Sequence, residues 1–372
     1  MIEETISRID GLDEAAMEAA QHHQDILAIP LGSLGRLHEV CVQLAGITGS
    51  PRPEIRDLAV VVMAGDHGVV ARGVSLFPQE VTREMVANFA KGGAAINVLA
   101  RHVGARLTVV DMGVSGPLSE LAEPQFPDLR LLHRRIADGT ADMSQGPAMS
   151  RDEARRSLEA GISVFEEEKA RGLHALGTGD MGIGNTTPSA AIAAAFLKQD
   201  PAETVNRGTG IDGNALKHKI EVVKRSLALN RPDPDDPLDV LAKVGGFEIG
   251  GIAGMILAAC ASRTPVVVDG FISTAAALLA SRFHPEARNY LFAGHLSAVA
   301  GHKLMLDELA LDPLVDLGMR LGEGTGAAFG LSILVASSRV ACEMLTFDQA
   351  AVSSPESQDR RVQRDVPLSR RA

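Results

Sequence analysis

The sequence predicts an α/β fold: a doubly wound, mostly parallel sheet with helices on both faces, plus a smaller helical domain. Three observations predict it. From residue 58 onward, short apolar runs alternate with longer stretches of helical periodicity. The runs, such as Leu58-Ala59-Val60-Val61-Val62-Met63-Ala64, are continuous rather than alternating, as strands are when helices cover both sides of a sheet. Several of them end on a glycine beside an acid or a histidine, at Asp66-His67, Asp111, Asp180, Asp269 and His295-Ser297. Ligands of open parallel sheets bind beyond the carboxyl ends of strands, so these residues mark one shared crevice, or else simply turns where Gly and Asp end strands.

In chain order, residues 13–28 and 36–46 read as helices, with Ser33 placed to cap the second. The first strand is Leu58–Ala64. Helices near 79–90 and 93–102 lead to strand Arg106–Val110, and residues 129–135 form a further strand. A charged amphipathic helix covers 150–171. Strand Leu173–Leu176 is followed by the glycine loop 177–188 and an Ala-rich helix. Helices near 214–227, 237–244 and 248–262 precede strand Pro265–Val268. After another small-residue helix come strand Tyr290–Ala293 and a helix near 299–310. Residues 1–50 read as the small helical domain, joined by C-terminal helices around 325–350. Residues 51–325 read as the nucleotide-binding α/β domain, and 353–372 as a disordered tail.

Composition narrows the function. The 372 residues are enough for a sizeable core, and 45% hydrophobic with 22% charged is a soluble balance. Trp is absent, Tyr occurs once and the formal net charge is -11, so neither nucleic acid nor a membrane surface is an expected partner. Cys41, Cys260 and Cys342 form no CxxC pair and read as buried thiols in a reducing compartment. No HExxH is present, so no metal and no cofactor is expected. Met1-Ile2-Glu3-Glu4 does not open a signal peptide, and the apolar runs around 250–261 and 327–337 are shorter than a bilayer span, which makes the chain a cytoplasmic protein.

Two stretches carry chemistry. In Met319-Arg320-Leu321-Gly322-Glu323-Gly324-Thr325-Gly326, one carboxylate sits among glycines just before an apolar helix. Glu323 is a general base there, or a solvated loop glutamate beside a helix start. Gly177-Thr178-Gly179-Asp180-Met181-Gly182 is a literal GxGxxG after a strand, with Asp200 at the spacing a dinucleotide fold wants. The glycines continue to Gly184-Asn185-Thr186-Thr187, however, which starts the helix late for such a fold. The phosphate-binding part of that argument survives, because glycine N–H groups, Asn185, Thr186 and a helix dipole all favour an anion. Lys219, with Lys217 and His218, either reaches a phosphate oxygen or lies on a solvated face. His67 and His295 are acid–base groups or structural hydrogen-bonders.

Taken together, Gly32-Ser33-Leu34-Gly35-Arg36-Leu37, Asp66-His67-Gly68-Val69, Gly92-Gly93-Ala94-Ala95-Ile96-Asn97-Val98, Gly182-Ile183-Gly184-Asn185-Thr186-Thr187, Lys243-Val244-Gly245-Gly246-Phe247, Asp269-Gly270-Phe271, His295-Leu296-Ser297 and Arg320-Leu321-Gly322-Glu323-Gly324 resemble the nicotinate-nucleotide–dimethylbenzimidazole phosphoribosyltransferase family. The resemblance runs from about Leu31 to Ala341 with matching order and spacing. It implies a homodimer that moves phosphoribose from nicotinate mononucleotide to 5,6-dimethylbenzimidazole, for the lower ligand of cobalamin. By resemblance, Glu323 is the catalytic base. Gly182, Asn185, Thr186, Gly208, Lys219, Gly270 and Ser297 hold phosphate and ribose, Met181 and Leu321 line the base pocket, and Asp180 and Asp269 are further substrate-binding residues. Three positions depart from the family pattern. Asp180 replaces a Glu, and Phe77 and Met85 stand where polar Ser and Gln shape the base pocket, which implies a greasier pocket. Asp142 replaces an Asn with no consequence that follows. Two other readings compete: an NAD-dependent oxidoreductase built on the GxGxxG, and a non-catalytic binder of benzimidazole nucleotides.

Overall fold

The computed structural model describes residues 1–118, 126–205 and 213–353, so Gly208 and the tail beyond Ser353 lie outside the described residues. Among the described residues, six strands form one sheet: β1 (Leu58–Gly65), β2 (Ala105–Gly113), β3 (Leu129–His133), β4 (Ala175–Met181), β5 (Val266–Val268) and β6 (Leu291–Ala293). All pairings are parallel and the order is β3-β2-β1-β4-β5-β6. The chain therefore winds one way from β1 to β3 and the other way from β4 to β6. That reversal opens a crevice between the carboxyl ends of β1 and β4.

Side-chain alternation shows how both faces are covered. Val60 and Met63 are an odd number of residues apart on β1, so they face opposite sides of the sheet. A Cβ at Gly177 would meet Val60 together with Ala327 and Leu331 of the helix Thr325–Glu343. A Cβ at Gly251, in the helix Phe247–Ala261, would meet Met63 and Met112. The latter helix is buried over nearly its whole circumference, which its Gly and Ala content allows. At Gly161, a Cβ would stand 1.9 Å from the Gly251 carbonyl oxygen, so two helix backbones touch there.

The chain separates into two compact units. The larger contains Met1–Asp10 and Asp57–Leu331, the smaller Gly11–Arg56 and Ser332–Ala372. The first ten residues join the larger unit through Tyr290 Oη, which donates to the Asp10 carbonyl (2.9 Å), and through an Arg155–Glu3 ion pair of 2.8 Å. In the smaller unit, Asp13 caps the helix Glu14–Asp25 and Gly49, at φ +70, ends the helix Arg36–Thr48. The Ser338 hydroxyl donates to the Pro53 carbonyl (2.7 Å) and accepts from the Ile55 N–H (3.0 Å).

Several elements differ from the expected ones for identifiable reasons. β4 begins at Ala175 and continues to Met181, so the GxGxxG stretch is strand rather than loop. Its glycines serve close packing: a Cβ at Gly179 would lie 2.6 Å from the Glu323 carbonyl oxygen. Asp200 caps the short helix Pro201–Thr204 by accepting from the Ala202 N–H (2.8 Å). Neither the glycines nor that acid is arranged for a dinucleotide. The helix expected over 299–310 is confined to His302–Glu308. The helix Thr325–Glu343, at 19 residues, is longer than its apolar run suggested. By length and composition it could cross a membrane, yet 56% of its apolar window is buried inside the structure.

Candidate active site

A cavity of about 310 Å³ opens at the carboxyl ends of β4, β5 and β6. Two other depressions, of about 460 Å³ beside Ala148 and about 400 Å³ beside Arg135, are wider but gather no comparable set of buried polar groups. The cavity by β4 brings together Phe77, Met85, Asp180, Met181, Gly182, Asn185, Thr186, Lys219, Gly270, Ser297, Leu321 and Glu323. One expected residue is missing from its wall. Asp269 is fully buried and both its oxygens are occupied by backbone: Oδ2 accepts from Gly324 N–H (3.0 Å), and Oδ1 from Gly326 (2.6 Å) and Ala327 (3.2 Å). It anchors a loop instead of facing a ligand. Gly208 lies outside the described residues.

That loop carries Glu323. Gly322, Glu323 and Gly324 have φ of +85, +63 and +91, three left-handed residues in succession. Glycine accepts this freely, whereas a residue with a Cβ is strained by about 1–2 kcal/mol. The loop is pinned by Asp269 and by the Glu323 N–H, which donates to the Asp180 carbonyl (3.2 Å). Glu323 is 5% exposed, and Oε2 accepts one long bond (3.4 Å) from the Ile96 N–H in the first turn of the helix Ala95–Val103. No cation pairs with it among the described residues. Burial pushes its pKa up to about 7; the Ile96 N–H opposes the rise and the Asp269 carboxylate adds to it.

Asp180 is its neighbour. Oδ2 accepts from Asn185 Nδ2 (3.0 Å), while Oδ1 is buried with no hydrogen-bond partner among the described residues. Burial raises this carboxyl well above the usual range, helped by the Asp269 and Glu248 carboxylates. Burial thus favours its protonated form more than in an exposed aspartate. Two acids in contact with one cavity therefore both have their charged forms disfavoured by burial, and Glu323 is the one brought to about 7.

The anion-binding end is built on the start of the helix Thr186–Leu197. Lys219, 1% exposed, donates from Nζ to Thr186 Oγ1 (2.6 Å) and has no carboxylate partner among the described residues. Burial lowers its pKa to about 8. A buried ammonium beside a 12-residue helix's N-terminus is suited to an oxyanion. The loop before it is pressed against β1: a Cβ at Gly182 would lie 2.2 Å from the Gly65 carbonyl oxygen.

Several supporting residues are ones that sequence reasoning missed. Thr82 Oγ1 donates to Asp66 Oδ1 (2.6 Å) and accepts from the Ile183 N–H (3.0 Å), tying the helix Glu80–Ala90 to the anion loop. His302 Nδ1 accepts from the Ser297 N–H (3.0 Å), so Nε2 carries the hydrogen and donates to Thr274 Oγ1 (2.9 Å). Burial lowers the His302 pKa to about 3, which keeps this ring neutral and Ser297 fixed. Of the two histidines considered as acid–base groups, His295 lines the cavity, with Nε2 3.8 Å from Asp269 Oδ1. His67 does not. It lies behind the anion loop against Glu248, Nε2 to Oε1 2.8 Å; burial disfavours its charge, yet the Glu248 carboxylate outweighs that and raises its pKa. Among the described residues, no three His, Cys, Asp or Glu side chains are grouped to hold a metal ion.

A family model described as phosphoribosyltransferase matches residues 9–352. The chain belongs to this phosphoribosyltransferase family. Among its relatives, the nicotinate-nucleotide–dimethylbenzimidazole phosphoribosyltransferase of Roseiflexus sp. (strain RS-1) is 54% identical over 353 residues, covering 95% of this chain and 98% of that one. The enzyme of the same name from Desulforudis audaxviator is 52% identical over 357 residues, covering 96% and 99%. The crystal structure of CobT from Thermus thermophilus matches with a TM-score of 0.86 at 46% identity, covering 92% of this chain and 100% of that one. A phosphoribosyltransferase needs an anchor for a sugar phosphate and a group that manages a proton, and the cavity by β4 presents both.

Proposed function

We propose that this enzyme transfers phosphoribose from nicotinate mononucleotide to 5,6-dimethylbenzimidazole or a closely related base, giving nicotinate and α-ribazole 5′-phosphate for the lower ligand of cobalamin. The single observation that supports it most is a cation-free glutamate, with a pKa near neutrality, in the same cavity as a buried lysine that lacks a carboxylate partner among the described residues. The 5′-phosphate sits on Lys219, Asn185, Thr186 and the N–H groups around Gly182, which fixes the ribose. Gly270 and Ser297 lie along the sugar, and the Asp180 carboxyl hydrogen-bonds a ribose hydroxyl. The benzimidazole stacks against Phe77, Met85, Met181 and Leu321.

The reaction balances with one base. A ring nitrogen of the benzimidazole gives its lone pair to C1′ from the face opposite the pyridinium. The C1′–N bond breaks, and its electron pair returns to the pyridine nitrogen, so nicotinate leaves without a general acid. The proton on the other benzimidazole nitrogen passes to Glu323. Its carboxylate also stabilises the positive charge that develops on the ribose. Apolar Phe77 and Met85 favour benzimidazoles over adenine; faster turnover with adenine would contradict that part.

The test is incubation with nicotinate mononucleotide and a panel of bases, with products identified by mass. Nicotinate and a ribazole phosphate are expected. Binding without nicotinate release would favour the non-catalytic reading. A cytoplasmic homodimer is part of the proposal; Cys41, Cys260 and Cys342 are all free, which suits a reducing compartment, and static light scattering of the purified protein reads the oligomeric state.

A further inference from the structure

Among the described residues, two cationic side chains line the cavity, and their settings differ. Lys219 is deep, buried and bonded to Thr186 at the start of a helix. Arg320 is exposed at the rim, three residues before Glu323, and has no hydrogen bond or ion pair among the described residues. His295, the other basic group on the wall, already faces Asp269. Beyond these, the described residues of the wall offer two acids, neutral polar groups and apolar side chains.

This inference rests on the proposed function. The donor there carries two anionic groups, a 5′-phosphate and the carboxylate on its pyridine ring. The phosphate is answered by Lys219. The ring carboxylate is what separates a nicotinate nucleotide from a nicotinamide nucleotide, and neither Asp180 nor Glu323 offers it a positive charge. We propose that Arg320 binds the pyridine carboxylate of the donor and selects the acid over the amide. A guanidinium suits this task, because its planar fork meets a carboxylate with two parallel N–H donors and stays charged at every working pH. Its place at the rim fits a leaving group, which must depart once the C1′–N bond has broken. An amide offers one acceptor oxygen and an NH₂ that opposes the fork, so it loses the paired contact. The contact is partly exposed to water and is correspondingly modest.

The test is calorimetric binding of nicotinate mononucleotide and nicotinamide mononucleotide to the full chain and to Arg320→Gln and Arg320→Lys, with nicotinate release followed in parallel. Arg320→Gln should weaken the acid about fivefold and leave the amide within about twofold, and Arg320→Lys should recover part of the loss. The loss should shrink at about 0.5 M salt, as expected of an exposed ion pair. An equal fall for both nucleotides, or no change for either, would overturn the proposal. Failure of the functional reading looks different: the unaltered protein would release no nicotinate, while the two affinities would still judge Arg320.

Discussion

Glu168 and Glu323 are both buried glutamates of the larger unit, at opposite edges of the same sheet, and they are used in opposite ways. Glu168 stands at the amino ends of β2 and β3. It accepts from Thr108 Oγ1 (2.8 Å) and pairs with Arg106 (3.4 Å), Arg130 (3.1 Å) and Arg171 (2.8 Å). Glu323 stands at the carboxyl end of β4 with one long N–H bond to its carboxylate and no cation among the described residues. A buried carboxylate surrounded by guanidiniums is tied into a network of ion pairs and does structural work. One stripped of cations titrates near neutrality and can take and return a proton.

The strongest test of this contrast is the same substitution at both sites. Glu323→Gln should lower turnover by about 10²–10⁴-fold, the usual worth of a positioned general base, with nucleotide affinity nearly unchanged. Glu168→Gln should leave turnover alone. The two should also move stability in opposite directions. The Glu323 pKa rises on folding, so the folded state binds more protons than the unfolded one between its ordinary value of 4.5 and about 7. Stability is therefore lost as pH climbs through that window, and a neutral Gln escapes the loss. At pH 8, Glu323→Gln should be more stable than the unaltered chain by at most about 3 kcal/mol, and equal to it near pH 4. Glu168→Gln instead leaves three arginines short of a partner. It should cost about 2–3 kcal/mol, below the figure for a fully enclosed pair because the arginines reach solvent. Thermal unfolding at two pH values reads both signs, and destabilisation by Glu323→Gln at pH 8 would dissolve the contrast.

A smaller effect follows from pH alone. Plotted against pH, kcat/KM should rise through about 7 as Glu323 ionises and fall above about 8 as Lys219 loses the charge that holds phosphate. Glu323→Gln should remove the rising limb and leave the falling one. A profile that is flat between pH 6 and 9 would mean that neither group controls the reaction.

Much of the fold could be read in advance because its strands are short, fully apolar and bounded by glycines, as Leu58–Gly65 is. Glu323 stood out for the same local reason, a lone acid between glycines. What could not be read depends on contacts between distant segments. Gly177 and Gly179 look like a phosphate loop along the chain, but the second is a glycine because the Glu323 loop lies on it. Nothing near Ile96, Thr82 or His302 hints that they support Glu323, the anion loop and Ser297, since each partner arrives from another part of the chain.

Asp269 is the clearest such case, and it gives the smallest and most diagnostic prediction. At a strand end beside Gly270 it looks like a ligand for ribose, whereas the structure commits both its oxygens to the N–H groups of Gly324, Gly326 and Ala327. Asp269→Asn keeps the size but leaves an NH₂ facing donors, so one side of the anchor becomes repulsive and the strained turn at Glu323 relaxes. Turnover should then fall about tenfold, because the base moves relative to the proton it must take, while KM for nicotinate mononucleotide stays within about twofold. Were Asp269 a ribose ligand, KM would rise instead and turnover at saturation would hold. The split between kcat and KM therefore separates a residue that holds the base from one that holds the sugar, a distinction that the two buried glutamates make on a larger scale.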